Sequence, residues 1–453
     1  MGKTGAVQRL RDAIAAAGIP VFEPGTDGYA KTRAIWNGAV AHEPALAVHC
    51  RTTEDIRHSL AAARAHGVPV SVRGGGHDWA GRALRQDGLV LDLSPMRQVT
   101  VNAAARTAIV AGGATATDLA VAAAEHGLAA VTGNVGAVGM AGFMLAGGYG
   151  PLTTRFGLAI DNLLGAELVL ADGRRIWADA AQNAELFWAL RGGGGNFGVV
   201  TSMHIRLHAV GELLAGLILF PWSQAAAVLR GHAEILASAP DELSVLAGVF
   251  AGPDGAPAIL LSPAWSGEPS RGREIMGRLE RLGTPILSQI APLRYLDILR
   301  LYDQHVLDGY HHIVKTRWLA DLTPEIIAAT IEAGGVRTSP YSFIALHHCH
   351  GAPTRVAKDA TAFGQRRNHF MMEIVAAWGP GDATGENAHR RWVDDLFKKL
   401  APHALPGGYA NFLTQEDHEQ IASAYGGNGR RVREIKQYFD PENLFASAIP
   451  LPD

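Results

Sequence analysis

Short apolar runs and amphipathic segments that stop at glycine alternate along the first 210 residues. The run 45–49 predicts a strand, and the polar tetrad 52–55 resembles a capping box opening a helix that ends at Gly67. The same order returns with a helix predicted over 117–126, then Gly127 and a second apolar strand. Two such units, each leading into a glycine-rich loop, predict a nucleotide-binding domain with two lobes.

The remaining alternation predicts further strands and helices. Strands are expected at 165–177 (a hairpin turning at 171–174), 198–207, 244–250, 258–265, 342–349 and 370–378. Helices are expected at 185–190, 223–238, 269–282, 324–333 and 386–400. The predicted fold class is α+β: a two-lobed domain over 1–207, and a substrate domain over 208–405 with an antiparallel sheet flanked by helices. The tail, 406–453, changes character again.

Composition narrows the class of protein. With 453 residues, 48% of them hydrophobic, the chain is long enough for about two or three domains. A net charge of −3 gives no electrostatic basis for binding nucleic acid or an anionic membrane. The two cysteines, Cys50 and Cys349, are far apart, which fits a reducing compartment better than a disulfide. No apolar run approaches ~18 residues and no secretory signal is visible, so we expect a cytoplasmic monomer or homodimer.

The most informative stretch follows the apolar run 68–72 and reads Arg73, Gly74, Gly75, Gly76, His77, Asp78. Three successive glycines let backbone N–H groups turn inward around a phosphate. Two more glycine-rich segments, 133–150 and 192–198, indicate a large phosphate-bearing cofactor held at several points. In isolation His77 would more often be a hydrogen-bonded loop residue. Its place directly after the glycines favours a functional role, because a neutral imidazole held against an electrophilic carbon can form a covalent link.

Other motifs leave alternatives open. Gly193, Gly195 and Gly198 fit the G-x-G-x-x-G spacing, but a helix is predicted before them and a strand after them, the reverse of the Rossmann order. The Rossmann interpretation is therefore rejected, and a tight structural turn is the alternative to a cofactor loop. Tyr409 and Asn411 would share one face of a strand, either as satisfied structural groups or as a phenol and an amide meeting at a reactive centre.

The run from His347 to His350 carries three histidines and one cysteine. On a strand these residues alternate between faces, so at most two could share a site, and no metal is expected. His348 or His350 lining a substrate pocket is the favoured interpretation.

Together these motifs resemble the FAD-linked oxidases of the vanillyl-alcohol oxidase type, in the berberine-bridge-enzyme-like branch. The resemblance covers about 40–207 and 408–450, and only loosely the middle, through Thr361-Ala-Phe-x-x-Arg366. The matching motifs are Arg73-Gly-Gly-Gly-His77, Gly139-x-x-Gly142-x-x-x-x-Gly147-Gly148-Tyr149-Gly150, Phe156-Gly-Leu-x-x-Asp161-Asn162, Leu186-Phe-Trp-Ala-Leu-Arg191-Gly-Gly-Gly-Gly-Asn196-Phe-Gly198, Tyr409-x-Asn411-Phe412 and Tyr438-Phe-Asp-Pro-Glu-Asn-Leu-Phe445.

The resemblance implies FAD as cofactor and a role for each motif. The loop 73–78 would bind the pyrophosphate, and His77 would carry the flavin through an 8α-histidyl bond. Tyr409 and Asn411 would lie near the reactive face of the flavin, and the C-terminal segment would return to the FAD domain. The other residues implied are Gly133, Val138, Gly139, Gly142, Gly147, Gly148 and Tyr149 along the cofactor and past the flavin, and Asn196, Gly198 and Val199 near its nucleotide portion.

Two positions refine this implication. Val135 stands where many relatives carry a second, cysteinyl attachment, so attachment through His77 alone is predicted, as in the bacterial 6-hydroxy-D-nicotine oxidase type. Val138 stands where relatives carry the small residue said to admit oxygen, which favours an oxidase over a dehydrogenase.

The expected reaction is hydride transfer from an alcohol or amine carbon to flavin N5, with O₂ then reduced to H₂O₂. Tyr409 is the first candidate for the proton acceptor, and the lower candidates are His348, His369 and Arg366. Aromatic and histidine residues of the middle domain favour a small aromatic or secondary-metabolite substrate, while sugar oxidation stays open. The alternatives are a dehydrogenase with another electron acceptor and a non-catalytic FAD-binding protein.

Overall fold

The structure is a computed structural model that describes residues 3–453, without the side chains of residues 3, 4, 304 and 305. The first two residues of the predicted domain 1–207 lie outside the described residues. The described helices are α1 (Lys3–Ala16), α2 (Asp27–Arg33), α3 (Thr53–His66), α4 (Ala116–Ala124), α5 (Met140–Ala146), α6 (Thr153–Phe156), α7 (Ala184–Gly193), α8 (Ala225–Leu236), α9 (Pro269–Glu280), α10 (Tyr295–Leu299), α11 (Pro324–Gly335), α12 (Glu386–Leu400), α13 (His418–Ala424) and α14 (Gly429–Phe439).

A four-stranded sheet forms the first lobe and ends where the first glycine loop begins. Its order is β1 (Val21–Phe22), β2 (Leu46–His49), β4 (Leu89–Asp92), β3 (Val70–Arg73), and β2, β4 and β3 run parallel. Helix α3 makes the crossover between β2 and β3. Its N-cap Thr52 accepts a hydrogen bond from the Asp55 N–H, and Gly67 closes it in the left-handed conformation, with φ of 64°. The first predicted strand–helix–glycine unit is confirmed.

The second lobe contains an antiparallel five-stranded sheet with the order β5 (Val99–Asn102), β6 (Thr107–Ala111), β10 (Val199–Arg206), β8 (Leu163–Val169), β9 (Arg175–Asp179). The hairpin predicted around 171–174 joins β8 and β9. Helix α4 starts after Thr115, earlier than predicted, because Thr115 and Asp118 form a capping box.

The second apolar strand is mostly absent from this lobe. Only Leu128–Ala129 pair, as β7 with β11 (His208–Ala209). Ala130 and Val131 are buried but irregular, because an apolar run signals burial and no partner strand lies beside it.

A seven-stranded antiparallel sheet dominates the rest of the chain. Its order is β15 (Leu287–Leu293), β12 (Leu213–Pro221), β14 (Pro257–Trp265), β13 (Leu243–Ala251), β17 (Phe343–Cys349), β18 (His369–Trp378), β16 (His311–Leu319). Helices α8, α9, α11 and α12 pack on one face around a core that includes Trp265, Phe370 and Trp392. The other face is left to a cavity.

Four strands of this sheet are confirmed within one residue of the predicted bounds, and β12, β15 and β16 escape the sequence prediction. The reasons are local: Gly216 interrupts the apolar run of β12, and β16 carries Lys315 and Arg317 among its apolar residues. The predicted fold class, α+β with an antiparallel sheet flanked by helices, is confirmed.

The last stretch of the chain packs back onto the first two lobes. Phe445 lies in the core of the first sheet and Ile449 in that of the second. The boundaries at 207 and 405 stay predictions. Cys50 and Cys349 are buried free thiols. Over residues 3–453, no helix is both long enough and apolar enough to cross a membrane.

Candidate FAD and substrate cavity

A cavity of about 840 Å³ lies between the glycine-rich loops and the inner face of the seven-stranded sheet. Most residues that the sequence assigns to the cofactor line it: Gly74, Gly75, Gly76, His77, Asp78, Gly133, Val138, Gly139, Gly142, Tyr149, Gly198, Val199 and Asn411, together with Tyr409. Four others do not line it: Arg73, Gly147, Gly148 and Asn196.

The first glycine loop follows β3 and touches the second. A methyl group on Gly75 would come within 2.6 Å of the Gly139 Cα, so the two loops can approach this closely only as glycines. Arg73 Nη1 donates to Asp92 Oδ1 at 3.1 Å, at the ends of two neighbouring strands. The guanidinium lies directly beneath Gly76, where a Cβ would come within 3.0 Å of Arg73 Nη2, so Arg73 supports the glycine loop and does not itself line the cavity.

Asp78 joins the glycine loop to the C-terminal segment through Arg82. Arg82 Nε donates to Asp78 Oδ1 at 3.0 Å. The same guanidinium donates to three backbone carbonyls, those of Ala410, Asn411 and Leu413. Loop 78–82 therefore holds the segment with Tyr409 and Asn411 against the side of the cavity that the glycine-rich loops form.

The second and third glycine segments border open space. Methyl groups on Gly142 and Gly195 would meet no protein atom within 4 Å. Asn196 has a different place from the one expected, because its Nδ2 donates to the carbonyls of Gly193 and Ile449, both at 2.8 Å. It therefore fixes the third loop to the C-terminal segment and does not face the cavity.

Tyr409 and Asn411 meet in a 3₁₀ turn, Ala410–Phe412, and not on the predicted strand. The turn brings Asn411 Nδ2 within 3.1 Å of Tyr409 Oη, to which the Gly148 N–H also donates at 2.9 Å. Gly147 packs directly under the ring. Burial raises the pKa of Tyr409 to about 12, so the phenol keeps its proton at neutral pH, which disfavours it as the proton acceptor. Because its oxygen already receives two N–H groups, its own hydrogen is left for another acceptor.

Two of the candidate catalytic residues lie behind the cavity wall. His369 Nδ1 lies 2.7 Å from the Arg367 carbonyl, so Nδ1 carries the hydrogen and Nε2 accepts from Tyr149 Oη at 2.9 Å. Burial lowers the pKa of His369 to about 4. Arg366 pairs with Asp161 through two hydrogen bonds of 2.8 Å. His369 therefore orients Tyr149, and Arg366 stabilises the fold; neither lines the cavity.

Strand alternation decides which histidine of the 347–350 run faces the cavity. His347 and Glu373 face it, with Nε2 and Oε2 3.5 Å apart. His348 points to the opposite face, where it stacks on Phe370 with ring centroids 4.4 Å apart, and His350 follows it. The expectation that His348 or His350 lines the substrate cavity is therefore wrong for this cavity, by one strand position.

His312 and His347, from the histidine-rich stretches expected to line the substrate pocket, do line the cavity, and Trp36 and Glu373 are among the lining residues that the sequence did not indicate. For Glu373 a signal existed, since it is the only charged residue within the apolar strand His369–Trp378. Trp36 gave none, because it is remote in sequence from the glycine loop on which it packs.

His77 lies at the border of the two halves of the cavity. Its ring stacks on Trp36, with centroids 4.5 Å apart and 12° between planes, and Trp36 stacks on His312 at 3.8 Å. The His77 Nε2 is buried without a hydrogen-bonding partner. Burial lowers the pKa of His77, which favours the neutral, nucleophilic imidazole.

These residues fit FAD on two grounds. Three glycine segments turn bare backbone toward open space, as a pyrophosphate and a ring system need. A neutral histidine with a buried, unpartnered nitrogen stands where the glycine half meets the sheet half. Among residues 3–453 no group of three or more metal-ligating side chains converges.

Comparisons with known proteins agree with this geometry. A family model described as an FAD-binding domain matches residues 44–179, and one described as berberine and berberine-like matches residues 408–452. The chain is 31% identical over 443 residues to (R)-6-hydroxynicotine oxidase of Paenarthrobacter nicotinovorans, covering 94% of each. It is 27% identical over 474 residues to glucooligosaccharide oxidase of Sarocladium strictum, covering 97% of this chain and 93% of that one. The crystal structure of 6-hydroxy-D-nicotine oxidase from Arthrobacter nicotinovorans superposes with a TM-score of 0.87 at 30% identity, over 96% of this chain and 97% of that one.

Proposed function

The chain belongs to the berberine-bridge-enzyme-like family of FAD-linked oxidoreductases, and on that basis we propose that it oxidises a small, apolar aromatic alcohol or amine at the expense of O₂. FAD, when bound, would supply the redox chemistry, namely hydride acceptance from the substrate carbon and reoxidation by O₂ to give H₂O₂. The observation that carries the proposal is the continuity of the cavity from His77 and the glycine loops to Glu373 and His347 on the sheet.

We assign proton acceptance to Glu373 and not to Tyr409. Glu373 is a cavity-facing carboxylate in an apolar strand, and its charge adds to the rise in the Tyr409 pKa, so the two side chains lie close together. Tyr409 is protonated and has a free hydrogen to donate, whereas a carboxylate accepts. In this arrangement Tyr409 orients the substrate heteroatom, and Glu373, with His347 beside it, takes the proton.

An apolar wall supports an aromatic substrate over a sugar. The lining on the sheet side is largely aliphatic and aromatic, and includes Leu217, Leu219, Phe250, Leu260 and Leu287. Phe250 stacks on Phe343, which also lines the cavity, with centroids 5.3 Å apart. An oligosaccharide would leave many of its hydroxyl groups against this wall without partners, which costs free energy.

We further propose that FAD is attached through His77 alone, with the loops 74–78, 133–142 and 194–199 as its cradle. Val135 lies in the cavity lining where relatives carry the second, cysteinyl attachment. The absorption spectrum of the purified protein, before and after acid precipitation, tests this. Flavin colour that stays in the pellet, and is lost in His77→Ala, supports the bond; colour released to the supernatant contradicts the bond but leaves FAD binding intact.

Substitutions of Val138, which lines the cavity, test whether the protein is an oxidase or a dehydrogenase. Val138→Leu should slow the reoxidation of photoreduced enzyme by O₂, while Val138→Ala should not. Equal reoxidation rates in both variants would remove the oxygen-gate assignment and favour a dehydrogenase. A protein that never takes up FAD would overturn the proposal as a whole.

A further inference from the structure

The segment 36–38 fastens the first glycine loop to the edge strand of the seven-stranded sheet. The Trp36 N–H donates to the Gly76 carbonyl at 2.9 Å, next to His77. The side chain of Asn37 bonds both backbone groups of His312: Oδ1 accepts from its N–H at 2.9 Å, and Nδ2 donates to its carbonyl at 3.0 Å. The backbone on either side of the Trp36 ring is therefore fixed, and the ring has one place to lie.

The Trp36 ring lies between the imidazole rings of His77 and His312. The Trp36 ring is nearly parallel to His77 (12°) and to His312 (21°), and all three residues line the cavity. The indole Nε1 and the His77 Nε2 are buried without partners. A stack that served packing alone would cost less with apolar rings, because each buried unpartnered nitrogen is unfavourable.

The buried ring nitrogens are explained if the stack holds the His77 imidazole in place for attachment to the flavin. Parallel stacking restricts rotation of the His77 ring about its side-chain bonds, and a water-excluded environment keeps the ring neutral. Burial lowers the pKa of His312 as well, to about 4, so neither neighbour of Trp36 carries a charge at neutral pH. Orientation and neutrality are the two properties that a nucleophilic imidazole needs.

Resting on the proposed His77 attachment, we infer that Trp36 is a positioning residue for covalent flavin incorporation, and that His312 supports it from the opposite face. In the overall step one C–H bond of the flavin 8α-methyl group and the N–H bond of His77 break, and a C–N bond forms between them. The two hydrogens, with their two electrons, pass to O₂, giving H₂O₂. The stack takes no proton; it sets the direction from which the His77 nitrogen approaches.

The test is the time course of covalent incorporation into flavin-free protein mixed with FAD in air, measured as flavin retained after acid precipitation. Total bound FAD, before precipitation, is the control for folding and binding. Because Trp36 lines the cavity, linkage is followed at saturating FAD and expressed per bound FAD: Trp36→Leu should link its bound FAD about tenfold more slowly or worse, while Trp36→Phe should stay close to wild type. His312→Leu should slow linkage, and His312→Phe, which keeps a ring for stacking, should not.

A pH profile separates positioning from mere packing. The rate should fall on acidification at a lower pH in wild type, where burial lowers the pKa of His77, than in Trp36→Leu, where the fall should lie near the ordinary histidine range of about 6.5. Normal linkage rates and a wild-type pH profile in Trp36→Leu would overturn the inference while leaving the His77 attachment standing. Wild-type protein that binds FAD but never links it would overturn both. If Trp36→Leu does not fold, the pair His312→Leu and His312→Phe decides in the same way.

Discussion

A methyl group added at Gly142 should raise the stability of the flavin-free protein and lower its affinity for FAD. Gly142 lies in the first turn of α5, and a Cβ there would meet no protein atom within 4 Å. It faces the cavity, and its carbonyl is within 3.4 Å of Asn411 Nδ2. In flavin-free protein the Ala variant therefore gains helix propensity at no steric cost, while FAD, when bound, has to share its space with the methyl group.

The two effects have opposite signs and comparable sizes. Replacing glycine by alanine within a helix stabilises by about 0.5–1 kcal/mol. Inserting a methyl group into a filled site costs about 1–3 kcal/mol, which weakens FAD binding roughly 5- to 150-fold. Gly277 in α9 is the matched control, because a methyl group there would meet only the flexible end of Arg281, at 3.1 Å, far from the cavity lining.

Both variants should be made in a His77→Ala background, so that FAD binding is reversible and can be titrated by quenching of flavin fluorescence. Urea unfolding of the flavin-free proteins gives the stability term. Gly277→Ala should gain stability and keep its affinity, whereas Gly142→Ala should gain stability and lose affinity. Unchanged FAD affinity in Gly142→Ala would refute the assignment of α5 to the cofactor wall.

Three other outcomes follow from the described contacts. Glu373→Gln should lower the rate of flavin reduction in anaerobic stopped-flow by about 10²–10⁴ without changing FAD content, and a rate within threefold of wild type would exclude Glu373 as the proton acceptor. Arg366→Leu should cost about 3–5 kcal/mol in urea unfolding, because it leaves the Asp161 carboxylate buried and unpaired, whereas Arg390→Leu, which breaks an exposed pair with Glu386, should cost less than about 1 kcal/mol. The free energy of unfolding should fall as the pH drops below about 6.5, because the unfolded chain then binds protons that the folded one excludes. The fall should reach up to about 1.4 kcal/mol per pH unit for each histidine whose pKa burial lowers. These include His232, His348 and His369, with pKa values of about 4, 3 and 4, and a flat stability profile between pH 6.5 and 5 would contradict these lowered pKa values.

The sequence predicts local structure well where one signal dominates. Thr52 and Gly67 mark both ends of α3 because capping and left-handed geometry depend on single residues. The glycine loops are predicted as the cofactor cradle for a similar reason: at Gly75, contact with a second loop leaves no room for a side chain. Which residues of that cradle actually face the cavity is a matter of tertiary structure, as Arg73 and Asn196 illustrate.

The candidate site depends on which face of a strand is covered, and that is decided at long range. His347 and His348 are equivalent in sequence; the helices packed on one side of the sheet leave His347 to the cavity and bury His348. The 3₁₀ turn at Tyr409 is likewise set by distant donors, among them the N–H of Gly148. Burial of the phenol, which disfavours Tyr409 as the proton acceptor, is likewise not visible in the spacing of Tyr409 and Asn411.

The contacts of Arg82 can form only at different times during synthesis of the chain. The guanidinium and its Asp78 partner are four residues apart, so this ion pair can form as soon as the loop leaves the ribosome. The carbonyl of Ala410 comes 328 residues later, which at 5–20 residues per second is a delay of roughly 16–66 s. In the later part of that interval, once residue 199 has been made, the nascent chain contains all three glycine loops but still lacks Tyr409 and Asn411. Docking of the final segment, which the Arg82 guanidinium holds through the carbonyls of Ala410, Asn411 and Leu413, is therefore the last step in completing the proposed site.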